Sequence, residues 1–73
     1  MSALHDMIAI KKISQAELAR RLNISQPAVS VMAKKGIFNV NTARRYAKAL
    51  RCNPILLLDE IDFLSDYKNI SNN

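Results

Sequence analysis

The chain has 73 residues, which is enough for one small domain and no more. Hydrophobic residues make up 49% of it, with one glycine and two prolines, a composition typical of a globular, helix-rich domain. Cys52 is the only cysteine and His5 the only histidine. This excludes an intramolecular disulfide framework and makes a metal site or a catalytic dyad implausible, so we expect no metal, no cofactor and no enzyme activity.

Charge is divided unevenly along the chain. Residues 1–52 contain ten Lys/Arg and two Asp/Glu, whereas residues 53–73 contain Lys68 against four acidic residues, for an overall charge of +5. A basic body suits a polyanion such as DNA, and an acidic end suits a different partner. Solvation of a small domain is the alternative explanation. Strictly apolar runs reach only four residues, as in 55–58, and no leader pattern is visible, so we expect a cytoplasmic protein with no membrane partner.

Two helices are predicted in the first third of the chain. Ser2 can cap a first helix that runs to about Ile10 with one apolar stripe. Ser14 and Glu17 form a capping-box pattern at the start of a second helix. That helix is expected to end at Asn23, because asparagine tolerates the left-handed conformation of a tight turn.

Three more helices are predicted after it. Ser25 can cap a third helix, with Pro27 in its first turn and Gly36 at its end. Asn39 can cap a fourth helix over residues 40–50, whose buried face would hold Val40, Ala43, Ala47 and Leu50. The dipeptide at 53–54 can open a fifth helix through Leu58. The fold class is therefore all-α, with five helices.

The second and third helices are joined by a turn of about three residues, which is the spacing of a helix-turn-helix. Small Ala19 would let the two backbones cross closely. The helical spacing leaves one side of the third helix facing outward, with Gln26, Pro27, Ser30, Val31 and Lys34.

This window resembles the helix-turn-helix of the phage Cro/CI repressor family, also called the XRE family. The resemblance lies in residues 14–26 (SQAELARRLNISQ), then 46–50 (YAKAL), Asn53, Pro54 and Leu57. It implies a five-helix, lambda-repressor-like fold with the helix at about 25–35 in the major groove of double-stranded DNA. Asn23 and Arg51 stand where the family often has glycine. Ile8 and Ala33 stand where many members have a buried Arg–Glu pair, and we interpret them as its apolar replacement.

Residue roles follow from groove chemistry and from the resemblance. Gln26 can bind adenine through two hydrogen bonds, Pro27 and Val31 can contact thymine methyls, and Ser30 and Lys34 complete the predicted base contacts. The predicted phosphate contacts are Gln15, Ser25, Lys35, Asn39, Asn41 and Thr42. The alternative for the outward face is an ordinary solvated helix. For the arginines and lysines of the fourth helix, solvation is favoured over DNA contact.

The predicted function is sequence-specific DNA binding by a Cro-like transcriptional repressor of a prokaryotic cell, found on the nucleoid when bound. Residues 1–60 would form the DNA-binding domain and 61–73 an acidic, apolar tail. We expect a homodimer or a complex with a partner regulator, and no small-molecule ligand. The predicted interaction surface is Leu56, Ile61, Phe63 and Leu64. Two alternatives stay open: a tail that folds back on the core, and a module that binds another regulator, as an antirepressor or antitoxin does.

Overall fold

The computed structural model describes residues 2–59, which form four α-helices, one short 3₁₀ helix and no strand. This confirms the all-α class. Tail residues Ile61, Phe63 and Leu64, and the boundary at residue 60, lie outside the described residues. Within residues 2–59, no helix has the length and apolarity needed to cross a membrane. The elements are α1 (Ala3–Ile10), α2 (Gln15–Leu22), α3 (Gln26–Lys35), α4 (Val40–Leu50) and the 3₁₀ helix (Pro54–Leu57).

Every α-helix begins at its predicted cap. The hydroxyls of Ser2, Ser14 and Ser25 each accept a hydrogen bond from the backbone N–H three residues on. Asn39 accepts from two backbone N–H groups of α4. At the other end of α2, Asn23 adopts the left-handed conformation with a φ of 58°. These caps fix the lengths of the helices and therefore the short turn between α2 and α3.

The core lies where α1, α2, α3, α4 and the 3₁₀ helix meet. Ala19 is buried between α2 and its neighbours, and Ile8 and Ala33 are both in the core, as expected of an apolar replacement for an ion pair. Val40 is the exception: it is 50% exposed, so its predicted place on the buried face is wrong. It lies in the first turn of α4, whereas α4 packs on α2 and the 3₁₀ helix through its later turns.

The fifth helix differs from the prediction. Asn53 caps it, but it is a 3₁₀ helix of four residues that ends before Leu58, whose backbone is extended. Leu57 is fully buried as expected, while Ile55 and Leu56 remain exposed. The chain leaves the helical conformation here because the next residue, Asp59, is bonded to two distant segments.

Those bonds form a contact that we call the Asp59 junction, made of Asp59, Ala3, Gly36 and Ile37. The Asp59 carboxylate accepts from the backbone N–H of Ala3 at 2.8 Å and of Ile37 at 2.7 Å. The Asp59 N–H donates to the Ile37 carbonyl at 2.8 Å. The sequence places Asp59 in the acidic end of the chain, residues 53–73, for which we expect a different partner; in the structure Asp59 joins the start of α1 to the loop after α3.

Gly36 makes room for this junction. Its φ is +96°, and a Cβ atom built there would lie 2.5 Å from Oδ2 of Asp59. Glycine is therefore required for two reasons, the backbone conformation and the closeness of the carboxylate. Nearby, the Ser2 hydroxyl donates to the Ala33 carbonyl, which is a second bond between α1 and the end of α3. The position of α3 is thus fixed by hydrogen bonds from both ends of the described chain.

Candidate nucleic-acid interface

Helix α3 has one buried and one free side. Val29 is fully buried and Ala33 is 4% exposed, and they face the core with α1 and α2. Met32 packs partly against the same core. The Ser25 cap and Pro27 in the first turn give the helix a defined start. Because its inner side is packed and its start is fixed, α3 can present its outer side as a rigid surface.

The outer side holds the five residues predicted to contact bases, four of which are exposed, while Ser30 is half-buried. Positions 26, 30 and 34 are four residues apart, as are 27 and 31, so all five lie along one face. Val31 is 60% exposed, which leaves a large apolar side chain in solvent between polar neighbours. A ten-residue helix is about 15 Å long, and its cross-section fits a major groove about 12 Å wide.

The chemistry of this face matches the hydrogen-bond pattern of base edges. The Gln26 amide has a donor and an acceptor side by side, which adenine can meet through N6 and N7. Val31 can contact a thymine methyl, and Lys34, near the end of α3, can reach guanine or phosphate. Ser30 can donate or accept. A surface of this kind, on a helix fixed by a short turn to a second helix, has side chains that can form hydrogen bonds and apolar contacts with base edges.

A family comparison agrees with this geometry. The family model of the Cro/C1-type HTH DNA-binding domain matches residues 3–61. The chain belongs to this family. The resemblance noted from the sequence is thereby confirmed, and the chain is assigned a DNA-binding domain. No curated protein and no solved structure matches the chain.

The six predicted phosphate-contacting residues of this Cro/C1-type domain lie in two places. Lys35, Asn39 and Thr42 line one groove of about 270 Å³ between the end of α3 and the start of α4. Asn41 is exposed beside it, whereas Gln15 and Ser25 stand at the starts of α2 and α3 and do not line it. The structure therefore brings three of the six together.

Two of these residues already use their oxygen atoms within the domain. The Asn39 Oδ1 atom accepts from the N–H groups of Asn41 at 2.8 Å and Thr42 at 3.2 Å. The Ser25 hydroxyl accepts from Ala28 at 3.3 Å. What each retains for a phosphate is its donor, the Asn39 amide N–H₂ and the Ser25 O–H. Both side chains can therefore donate to an anion such as a phosphate.

Sequence reasoning missed two apolar side chains beside this groove. Phe38 is 58% exposed in the loop between α3 and α4, and Val40 follows it at the start of α4. Phe38 lies in a loop and belongs to no apolar stripe, whereas Val40 belongs to the apolar stripe predicted for α4. No periodic signal therefore marks either side chain as exposed. They add an apolar edge to a surface that the sequence indicated to be polar.

The capping box of α2 is also only half formed. The Ser14 hydroxyl accepts from the Glu17 N–H at 3.0 Å, but the Glu17 carboxylate accepts from Arg20 Nε and Arg21 Nε, each at 3.0 Å. Two guanidinium groups on the next turn bind the carboxylate more strongly than a neutral amide does. Hydrogen bonds from Arg20 and then Arg21 lower the pKa of Glu17. Arg21 also donates to the Ala49 carbonyl at 3.0 Å, which joins α2 to the end of α4.

Cys52 is half-buried and packs against the core, where burial raises the pKa of its thiol. A raised thiol pKa disfavours the reactive thiolate, so its role is packing. Among the described residues, no group of three His, Cys, Asp or Glu side chains could hold a metal ion.

Proposed function

We propose that this Cro/C1-type domain is a sequence-specific transcriptional regulator of repressor type that places α3 in the major groove of double-stranded DNA. The observation that carries this proposal is the outer face of α3, which combines exposed Gln26, Val31 and Lys34 with half-buried Ser30 on a helix whose other side is packed. Such a face offers hydrogen bonds and apolar contacts that base edges in a major groove can meet. This function requires no catalysis, and its place in a prokaryotic cell is the nucleoid.

In this proposal one set of residues contacts bases and the other set contacts phosphates. Gln26, Pro27, Ser30, Val31 and Lys34 read base edges. Phosphates on one side are held by the groove of Lys35, Asn39 and Thr42 with Asn41 beside it, and on the other by Gln15 and Ser25. The phosphate contacts fix the register of α3 and carry no sequence information themselves.

The test begins with selection of preferred sites from a pool of randomised duplexes. Two glutamine-to-alanine variants, at positions 26 and 15, are then compared in their binding to the selected site and to random DNA. Gln26→Ala should weaken binding to the selected site by about 1–3 kcal/mol and relax one base pair, with little change on random DNA. Gln15→Ala should weaken binding to both duplexes equally, because it removes a phosphate contact. Equal losses for Gln26→Ala on both duplexes would remove base reading from α3.

One such domain contacts too little DNA for high specificity, so we propose a dimer on two half-sites, with Leu56 in the interface. Ile55 is 72% and Leu56 56% exposed, and they project from a 3₁₀ helix whose Leu57 is fully buried. Two adjacent apolar side chains held at the surface support a contact with a second protein chain.

The dimer is tested by sedimentation with and without the selected duplex. Leu56→Asp should prevent self-association while circular dichroism still shows a folded helical chain. Ile10→Asp is the matched control, since Ile10 is 68% exposed and belongs to α1 and not to the 3₁₀ helix. If wild type is a monomer that binds no duplex, the second candidate, a module that binds another regulator through the same apolar residues, replaces the first.

A further inference from the structure

A second charged surface lies away from α3, where the end of α1, the outer side of α2 and the end of α4 meet. Two adjoining shallow grooves of about 580 and 660 Å³ share Glu17, Arg21 and Arg51, and no residue of α3 lines either. We call the cations that line them the basic face: Lys11, Lys12, Arg20, Arg21, Arg45, Lys48 and Arg51. They are seven of the eleven Lys and Arg residues of the chain, and Glu17 is the only acidic residue that lines the two grooves.

Part of the basic face serves the fold. Lys11 Nζ donates to the Arg51 carbonyl at 3.2 Å, and Arg21 donates to the Ala49 carbonyl, so both cations meet carbonyls at the end of α4. Positive charge is favourable at this end of a helix. Arg20 and Arg21 share the Glu17 carboxylate. These contacts give a structural role to three of the seven cations, Lys11, Arg20 and Arg21.

The other four have no such explanation. Lys12, Arg45, Lys48 and Arg51 are exposed, and within residues 2–59 the side chain of none of them takes part in a hydrogen bond or an ion pair; Arg51 accepts from Lys11 only through its backbone carbonyl. Like charges held on one surface repel one another, and a bound polyanion relieves that repulsion while it releases counterions. The surface therefore favours a ligand that carries several negative charges.

The composition of the basic face separates a nucleic acid from an acidic protein. Protein interfaces have an apolar core, but none of the large exposed hydrophobic residues of the described chain lines these grooves. Four of the seven cations are arginines, whose planar fork of donors matches phosphate oxygens. We propose that the basic face is a second phosphate-binding surface, which holds the backbone of duplex DNA without reading its sequence. This goes beyond the proposed function and does not depend on base reading by α3.

The test compares two neighbouring arginines of α4 in the full chain. Arg45 lines a groove, whereas Arg44 is equally exposed and lines neither. Binding to a labelled random-sequence duplex is measured by fluorescence anisotropy between about 50 and 200 mM salt. Arg45→Gln should make the plot of log affinity against log salt shallower by about 0.9, and Arg45→Gln/Lys48→Gln by about 1.8. Arg44→Gln should leave the slope unchanged; an equal change in Arg44→Gln means that only net charge matters and overturns the proposal.

Two further measurements make the result specific. Poly-L-glutamate is the protein-like probe: if the double variant loses affinity for it but keeps its salt slope on DNA, the partner is an acidic protein and the proposal is wrong. The ratio of affinities for selected and random duplexes should not change in the double variant, whereas a ratio that falls as in Gln26→Ala would place Arg45 and Lys48 in the base-reading surface and overturn the proposal. If no preferred site is selected at all, the proposal that α3 reads bases is contradicted. The salt slopes on random DNA still test whether the basic face binds phosphates.

Discussion

The Asp59 junction and the outer face of α3 differ in where their polar groups lie: those of the junction are bonded within the fold, and those of the outer face are at the surface. At the junction, one carboxylate and four backbone groups form hydrogen bonds of 2.7–2.8 Å, over separations of 56 and 22 residues. On the outer face, Gln26 and Lys34 stand exposed on the surface. The first region uses its hydrogen bonds to hold α3 in place, whereas the second has the donors and acceptors that we propose contact DNA. The proposal therefore assigns stability and recognition to different residues, and substitutions can test that division.

The largest effect is expected at the junction. Asp59→Ala removes a charged acceptor from two backbone N–H groups, so the free energy of unfolding should fall by about 2–4 kcal/mol. Denaturant unfolding of the wild type and of the Asp59→Ala variant measures the loss. Asp6→Ala is the control, because Asp6 is an exposed aspartate on α1, and it should cost less than about 1 kcal/mol. Equal losses in the two variants would show that the Asp59 junction contributes no more to the free energy of unfolding than an exposed aspartate does.

Gly36→Ala should come next, with a loss of about 1–3 kcal/mol, because a φ of +96° strains any residue with a Cβ atom. Part of this loss should come from the contact with the Asp59 carboxylate. A double-mutant cycle with Asp59→Ala separates the two parts, since removal of the carboxylate leaves only the backbone strain. Strict additivity would mean that Gly36 and Asp59 do not interact.

A smaller effect is expected for Glu17→Gln, and it should depend on pH. The pKa of Glu17 is lowered in the folded chain by Arg20 and then Arg21, so its carboxylate stabilises the fold above the unfolded pKa. That contribution is lost as the pH falls through the folded pKa. Thermal unfolding at a series of pH values should show wild type with the higher midpoint at neutral pH and the two midpoints converging in acid. A gap that widens in acid would contradict this assignment.

The smallest effect on stability is expected on the outer face itself. Gln26→Ala and Val31→Ala each remove an exposed side chain, so the free energy of unfolding should change by no more than about 0.5 kcal/mol. Denaturant unfolding in the absence of DNA is the measurement. A loss above about 1 kcal/mol in either variant would mean that the outer face takes part in folding, and the division between the two regions would not hold.

Short-range features were the ones that the sequence could predict. Ser2, Ser14, Ser25 and Asn39 reach only two or three residues along the chain, so each cap could be recognised from its neighbours. The exposure of Gln26 and the burial of Val29 follow from helical spacing. Their roles toward DNA stay predictions, because a base contact depends on the operator as well as on the protein.

Long-range features could not be predicted in the same way. An aspartate followed by other acidic residues carries no local sign that its carboxylate will meet Ala3 and Ile37. The same bonds explain why the backbone is extended at Leu58 and does not continue there as an α-helix. Val40 shows the limit of periodicity, since the spacing places it with Ala43 but no neighbouring element covers its turn.

The Asp59 junction also has a consequence for the order of folding. Its bonds to Ala3 join residues that are made at opposite ends of the synthesis of the described chain. A nascent chain can form the α2–α3 pair from local contacts, but it cannot complete the docking of α1 until residue 59 has left the ribosome. The outer face of α3, which we propose reads DNA, would thus reach its final, rigid form only when residues 2–59 have all been synthesised. An incomplete chain would hold α3 loosely and would compete poorly for the same operator.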